Sequence, residues 1–416
     1  MFEGFKKNPY FKETLNFLVK KNLVSETYLV GGTVRDLLIG IPTKDIDLTL
    51  RADTVTLAKE FAKEVGGSFV LLDEFFSIAR VVKDDVTIDF AEMRGNNIEE
   101  DLAERDFTIN AIAYSLAKDE LIDPFSGQKD IENRIIRMIK EKNLRDDPLR
   151  ILRAYRFHAT LKFEIEEGTR DALRKNASLM KVTAKERVKE ELWRILSIKE
   201  GFNTIKFLEE DEIFKALFKF SEIVPLKINL QAFKTVEEIL NQIEDIFSLP
   251  IQKVIQKPYI EICLKFAAIF NFQAPELIKQ LKPSKKEYKL TEELVKAGIR
   301  LRKIETLLDK VRFIRDFEHI IYPSLIYGLS QDPFRLSRIW FYRDIEDFYR
   351  KNYLKNKKKL PIIRGDDIIS LGIQPSPLVG EILEKIEILT LAGKISKKEE
   401  AIEEIKKRYL SNISPP

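Results

Sequence analysis

Residues Tyr28–Leu50 read YLVGGTVRDLLIGIPTKDIDLTL, and the fold is decided there. An apolar β-type run ends at Val30. Gly31 and Gly32 follow, and a helix is predicted from about Thr33 through Leu38. Glycine at a strand-to-helix turn lets the backbone approach a ligand closely. The start of the helix offers N–H groups and a positive dipole end to an anion. Arg35, in that first turn, adds a two-pronged donor suited to phosphate. A lone Gly-Gly pair is also the sequence of an ordinary tight turn, so the second half of the stretch matters more. Asp45-Ile46-Asp47 lies inside an otherwise apolar strand, and residues two apart share a face. Like charges held that close repel. A cation between them relieves the repulsion, and carboxylate oxygen is the ligand type magnesium prefers. Such a pair can hold two Mg²⁺ ions, one activating an attacking hydroxyl and the other bridging a triphosphate and its leaving oxygen. An isolated Asp-x-Asp also fits a solvated strand edge. Gly-Gly-x-x-Arg just upstream favours the metal reading.

Outward from this stretch, Thr27–Val30, Asp45–Leu50, Gly67–Leu72, Ser77–Val82 and Val86–Phe90 read as strands, with a helix over Leu57–Val65. Asp89 would supply a third carboxylate if its strand lies beside Asp45–Leu50. From about Asp147 onward apolar residues recur at helical spacing and strand signals nearly vanish. The expected architecture is α+β: a small α/β head over residues 1–139, a helical neck over 140–200, a helical body over 201–300 and a helical tail over 301–416. At 416 residues, several domains are expected. The 44% hydrophobic content supports packed cores. A single cysteine, Cys263, excludes an intrachain disulfide framework and most zinc sites. No run of eighteen apolar residues occurs, and the lysine-rich N-terminus does not read as a signal peptide. A cytoplasmic protein without a membrane partner is expected. The net charge of +4 neither requires nor excludes nucleic acid, but Lys282–Lys289 and Arg350–Lys359 are dense in positive charge.

GGTVRD followed by DID resembles the signature of the nucleotidyltransferase branch that holds class II CCA-adding enzymes and bacterial poly(A) polymerases. RDFTINA, Arg105–Ala111, is close to that family's second motif, RRDFTINA, with Glu104 where the family has its first arginine. The resemblance implies a polymerase-β-like head. It implies that Arg105 binds phosphate or ribose, that Asp106 and Asn110 order the ribose, and that Asp45, Asp47 and Asp89 are catalytic, the first two as ligands of Mg²⁺. A contact to the 2′-hydroxyl would select ribonucleotides.

The third motif, Asp146-Asp147-Pro148-Leu149-Arg150-Ile151-Leu152-Arg153-Ala154-Tyr155-Arg156-Phe157, resembles the family's E-D-x-x-R-x-x-R-A-x-R-F. Pro148 suits a first helical turn. Asp147, Arg150 and Arg153 then fall three apart along one face, and Arg156 continues the line. Asp147 only accepts hydrogen bonds and Arg150 only donates them. Cytosine presents an amino donor beside ring N3 and O2 acceptors and matches that pair. Adenine also offers an amino donor and a ring acceptor. Uracil and guanine set a carbonyl against Asp147, a mismatch that costs about 1–3 kcal/mol per unpaired group. CTP is the expected substrate, with ATP open. The bland alternative is a surface salt bridge of small energetic value. In the family these two positions read the base, and the following arginines contact phosphates. Glu186–Leu192 resembles a looser family segment, E-R-[IV]-x-x-E-L, and is expected to brace the neck.

Members of the family that build the whole CCA end carry a flexible loop between the third-carboxylate strand and RRDFTINA. Here only FAEMRGNNIEEDLAE separates Asp89 from Arg105. Arg94–Ile98 leaves little room for that loop, as in enzymes that add only the two cytidines and leave the final adenosine to a separate A-adding enzyme. A full CCA-adding enzyme is the alternative. Poly(A) polymerase is weaker, because Phe75–Val82 replaces an expected arginine-rich segment. Leu360–Glu384 resembles a family tail element that grips the outer part of tRNA, so tRNA lacking part or all of its CCA end is the expected partner. Neither His158 nor His319 is followed by aspartate, so no His-Asp phosphohydrolase site is expected. A catalytically dead RNA-binding protein and a transferase acting on small molecules are the rival classes. The first is disfavoured by the complete set of carboxylates and arginines, the second by the base-reading helix and the long helical arm.

Overall fold

A computed structural model describes residues 2–74, 76–220, 223–247, 249–332 and 334–410. Phe75, in the segment replacing the arginine-rich stretch, and the last residues of the expected tail, 411–416, lie outside the described residues. The chain divides into two compact units, 1–198 with 207–217, and 199–206 with 218–416. The first unit holds the expected head and the neck to residue 198, and takes in 207–217 of the expected body; the rest of the expected body and the tail lie in the second.

The first unit is built on a seven-stranded sheet. Its strands are β1 (Thr27–Val30), β2 (Asp45–Leu50), β3 (Ser68–Asp73), β4 (Ile78–Lys83), β5 (Val86–Glu92), β6 (Ala113–Ser115) and β7 (Glu120–Ile122), in the order β3-β4-β5-β2-β1-β6-β7. All neighbours are antiparallel except β2 and β5. The five expected strands are present within one or two residues. β6 and β7 have three residues each, too short to leave a periodic signal.

Strand alternation sorts the sheet into two faces. Ile46, Leu48 and Leu50 on β2, Ile88 and Phe90 on β5, and Ala79 and Val81 on β4 are buried in one apolar cluster. The helices Pro9–Lys20 and Thr54–Val65 supply Phe11, Phe17, Leu57 and Phe61 to it. The Phe61 ring lies 5.0 Å from Phe17 and 5.6 Å from Phe90. Asp45, Asp47, Thr87, Asp89 and Arg80 hold the alternate positions and take the other face. The Thr54–Val65 helix is capped by Asp53, whose carboxylate accepts from Thr56 N. It ends at Gly66, with φ +69°.

The neck contributes the helices Glu141–Asp146 and Leu149–Leu161, with the Lys185–Leu196 helix packed against the second. Leu149–Leu161 buries Ile151, Leu152, Ala154 and Tyr155 completely. Glu164–Ile165, paired with Ile135–Ile136, is the only strand beyond Asp147 among the described residues. His158 is buried; its Nδ1 lies 2.7 Å from Phe163 O and its ring stacks on Phe207.

The described residues of the second unit form helices and loops, with no strand among them. Gly298 and Gly328 allow close helix packing: a Cβ on Gly298 would lie 2.5 Å from the Tyr327 ring, and one on Gly328 2.4 Å from Leu301. Lys282–Lys289 opens a helix whose N-terminus is closed by a capping box of Ser284 and Glu287. Arg350–Lys359 is helical as far as Lys357, with Tyr353 buried and Arg350, Lys351 and Lys357 paired to Glu346, Asp347 and Glu318. Leu360–Glu384 forms the helix Gly365–Ser370 and the start of Pro377–Leu391, around Ile363, Ile368 and Ile382. No helix is long and apolar enough to cross a membrane among the described residues.

Phe61→Ala removes the ring that joins Phe17 to Phe90 and should destabilise the first unit by about 3–5 kcal/mol. Denaturant unfolding followed by a probe in this unit checks it, and an unmoved midpoint would show that Phe61 does not bear on the core.

Candidate active site

Gly31 begins the helix Gly31–Ile39, two residues earlier than the sequence pattern predicts, with Val30 as its cap. Its φ of +61° is a conformation glycine adopts without strain. A Cβ there would sit 3.1 Å from Arg105 Nη1 and 3.5 Å from Asp47 Oδ2, and one on Gly32 would sit 3.2 Å from Asp47 Oδ2. The two glycines therefore keep open the space between an acid and two arginines. Thr33 fastens the helix to β2. Its N–H donates to Asp47 Oδ2 at 3.2 Å, its hydroxyl donates to Asp45 O at 3.0 Å, and Asp47 N donates back to Oγ1 at 2.8 Å. One of the helix-start N–H groups predicted to meet an anion is thus spent on Asp47.

The parallel pairing of β2 and β5 sets Asp47 opposite Asp89 and Asp45 opposite Thr87. Asp45 is exposed and accepts a short hydrogen bond from the Thr87 hydroxyl. Asp47 is half-buried, and its carboxyl is pushed up to about 6 by burial and then by the charge of Asp89, against the opposing Thr33 N–H. Asp89 lies where the sequence asked for it, but Arg80 from β4 holds both its oxygens, Nε to Oδ1 at 2.7 Å and Nη2 to Oδ2 at 2.8 Å. Among the described residues no cluster of three or more His, Cys, Asp or Glu side chains is arranged to hold a metal ion. The donor set that fits magnesium is the oxygen pair Asp45 and Asp47, hard ligands on one strand face beside a cradle that a Cβ would fill.

A cleft of about 500 Å³ joins these residues to the neck. Gly31, Gly32, Arg35, Asp47, Asp89, Arg105, Asp106, Asn110, Asp147, Arg150, Arg153 and Arg156 all line it, while Asp45 does not. Asp147 is not part of the neck helix. It is an extended residue, φ −135°, between Glu141–Asp146 and Leu149–Leu161. Pro148 starts the next helix at once, and Arg150 N still donates to Asp147 O at 3.0 Å. Asp147 Oδ2 accepts from Arg187 at 3.0 Å, and Arg150 Nη1 donates to Asn143 O at 3.2 Å. The bracing segment Glu186–Leu192 therefore reaches the proposed base reader directly through Arg187.

The other arginines are also held. Arg153 donates to Asp106 Oδ2 from Nε at 2.8 Å and lies 2.7 Å away through Nη2. Asp106 Oδ1 accepts from Phe107 N and from Asn110 Nδ2, and Asn110 Oδ1 accepts from Arg35 at 2.7 Å. Burial alone would raise Asp106, but the Arg153 charge and the Asn110 bond hold it well below the usual carboxylate range. Four donors saturate Asp106, so it organises Asn110 and Arg153 and has no acceptor to spare for a ribose in this structure. Arg156 pairs with buried Glu191 at 2.7 Å. Arg105 pairs with buried Asp101 at 2.9 Å. Asp101, Phe157, Arg80, Glu191 and Arg187 were not singled out as site residues. Phe157 takes three guanidinium groups around its ring, Arg35 at 5.1 Å, Arg153 at 5.4 Å and Arg156 at 4.3 Å. Its place in the R-A-x-R-F motif was the available signal.

Acids on a strand and a Gly-Gly helix start opening onto the same cleft as a row of neck arginines define a nucleotidyltransferase with a polymerase-β-like head. Residues 27–137 match the poly A polymerase head domain, 162–223 match the probable RNA and SrmB-binding site of polymerase A, and 259–405 match a putative second domain of tRNA nucleotidyltransferases. The CC-adding tRNA nucleotidyltransferase of Synechocystis is 32% identical over 389 residues, covering 91% of this chain and 93% of its own. The CCA-adding enzyme of Ligilactobacillus salivarius is 28% identical, with 96% and 97% covered. The solved structure of the Thermotoga maritima CCA-adding enzyme with tRNA superposes with a TM-score of 0.66 at 26% identity, covering 96% of this chain and 93% of that one. The chain belongs to the tRNA nucleotidyltransferase family.

A carboxyl raised in the folded state costs stability once it must ionise. For Asp47 that cost grows from about pH 4 to pH 6 and is complete above it. Asp47→Asn should therefore stabilise the metal-free protein by about 1–2 kcal/mol above pH 6 and leave it unchanged near pH 4. Thermal unfolding at the two pH values checks the sign, and an equal shift at both would refute the assignment.

Proposed function

We propose that this enzyme adds the two cytidines of the CCA end to tRNA from CTP and stops there. The observation that carries the nucleotide choice is the shared cleft: an acceptor, Asp147, and a donor, Arg150, line the same cavity as Asp47. Cytosine's amino group would donate to Asp147, and its ring N3 and O2 would accept from Arg150. No nucleic-acid strand is needed to select the base. Arg187 holds Oδ2 of Asp147, and Oδ1, which accepts from Leu149 N at 3.3 Å, keeps a second lone pair for the amino group.

Asp45 and Asp47 would hold Mg²⁺, which supplies charge neutralisation for the triphosphate and a more acidic attacking hydroxyl. Arg35, Arg105, Arg153 and Arg156 line the path for phosphates and ribose, each fixed by a carboxylate or amide partner. Asp106 and Asn110 act by holding Arg153 and Arg35. The 3′-hydroxyl of tRNA loses its proton to solvent as its oxygen bonds to the α-phosphorus of CTP, the bond from that phosphorus to the β-phosphate oxygen breaks, and pyrophosphate leaves. Preorganised cations lower the barrier because they need not reorient as charge develops.

The CC-only reading is supported by the segment between β5 and the Ile98–Ala103 helix. It is five residues long, Met93–Asn97. Each end is tied: Met93 N donates to Leu50 O, Arg94 N to Asp101, Asn96 N to Glu100, and Arg51 donates to Asn96 O. Gly95, φ +76°, packs on Glu100. A segment this short and this tied has little freedom to reshape the pocket for ATP. The full-length similarity to a CCA-adding enzyme supports the alternative, a complete CCA end. A separate A-adding enzyme completes the scheme under the first reading.

Incubating tRNA that lacks its 3′ end with CTP alone, and with CTP plus ATP, and sizing the products tests the proposal. Two added cytidines under both conditions are expected; a terminal adenosine overturns CC-only addition. Asp45→Ala should abolish incorporation and keep tRNA binding, and retained incorporation would refute the metal assignment. Arg150→Ala should narrow the preference for CTP over UTP by roughly tenfold or more, the effect of leaving a polar group unpaired. Unchanged selectivity would count against the base reader.

A further inference from the structure

Three adjacent strands carry one charged residue each in a single cross-strand row: Arg80 on β4, Asp89 on β5 and Asp47 on β2. The row lies on the face that carries Asp45. Two of its members are acids that repel, and Arg80 neutralises the outer one. The pairing is two-pronged, so both oxygens of Asp89 are engaged at once. A carboxylate in that state keeps one lone pair on each oxygen, but both oxygens already share a guanidinium charge. Arg80 is itself more than a third exposed, at 37%, so it can swing into solvent without opening the core beneath the sheet.

We propose that Arg80 is a positioning residue that withholds Asp89 from a divalent cation in the free enzyme, so that Asp45 and Asp47 alone gather it until Arg80 lets go. The inference rests on the assignment of Asp45 and Asp47 as magnesium ligands. Its physical basis is competition. A guanidinium fork and a cation want the same two oxygens, and the guanidinium charge also opposes a second positive charge nearby. Release of Asp89, which lines the cleft, would bring a third carboxylate to the site. Arg80 therefore couples the number of acids facing the cleft to the position of one side chain.

The test is Mn²⁺ binding to the full chain without nucleotide or tRNA, read by electron paramagnetic resonance. Arg80→Gln should tighten binding by about fivefold, the scale of a partly exposed ion pair. Asp89→Asn alone should leave it near wild type, and Arg80→Gln with Asp89→Asn should erase the gain. Unchanged or weaker binding in folded Arg80→Gln, or a gain that survives the loss of Asp89, overturns the proposal. Should Arg80→Gln fail to fold, Arg80→Lys replaces it: a single amine holds one oxygen at a time, and an intermediate gain is expected, with no gain overturning the idea. Asp47→Asn keeps the two readings apart. If it leaves Mn²⁺ binding intact, the metal assignment itself fails, whereas lost binding there with no gain in the Arg80 variants refutes only the role of Arg80.

Discussion

The structure depends on one unfavourable pairing, two carboxylates held side by side because β2 and β5 run parallel in register. Asp47 and Asp89 face each other across that pair, and the register cannot slip. A shift by one residue would turn Ile46, Leu48 and Leu50 out of the core and bury the acids. The apolar face thus holds the charged face in place. Asp47 shows the cost: burial and the charge of Asp89 push its carboxyl up to about 6. Thr33 offsets part of that through its N–H, and Arg80 offsets the charge of Asp89. The acids are held together at a cost to the fold, and a cation on Asp45 and Asp47, as proposed above, would relieve that repulsion.

A second feature follows from the same economy. The cleft contains many arginines, and each is fixed by a partner before any substrate arrives. Arg153 leans on Asp106, Arg156 on Glu191, Arg105 on Asp101, and Arg35 on Asn110 and Asp36. Phe157 gives three of the guanidinium groups a common face. An arginine row without these partners would repel itself apart. With them, the positive charge stays directed into the cleft, and the entropy of ordering long side chains is spent in folding and not in binding.

Much of this was legible in the sequence because it is local. The strand ending at Val30, the glycines, and the i and i+2 acids of β2 are set by period and turn chemistry within about twenty residues. The neck spacing from Arg150 to Arg156 survives because it is helical. Asp147 was readable as an acceptor but not as an extended residue outside the helix, since Pro148 suits both a cap and a first turn. What remained hidden are the long-range pairings. Nothing near Asp89 announces that Arg80 will occupy it, because the two meet only through the β4–β5 register. Nor does Glu186–Leu192 reveal that Arg187 reaches Asp147, forty residues earlier in the chain. β6 and β7 were missed for a different reason: three residues carry too little period to be seen.

The hidden pairings decide how the visible residues behave. Asp106 reads as a ribose ligand in a one-dimensional motif, yet four donors fill it. Its effect on a nucleotide must then pass through Asn110 and Arg153. Asp89 reads as a catalytic acid, yet its oxygens are held by Arg80. In both cases the motif names the residue while the partner sets its chemistry. A substitution that spares every motif position but removes Arg80 or Asp101 would still change which oxygens and which cations face the cleft. The site's working state is therefore a property of these pairs, and the motif residues alone do not specify it.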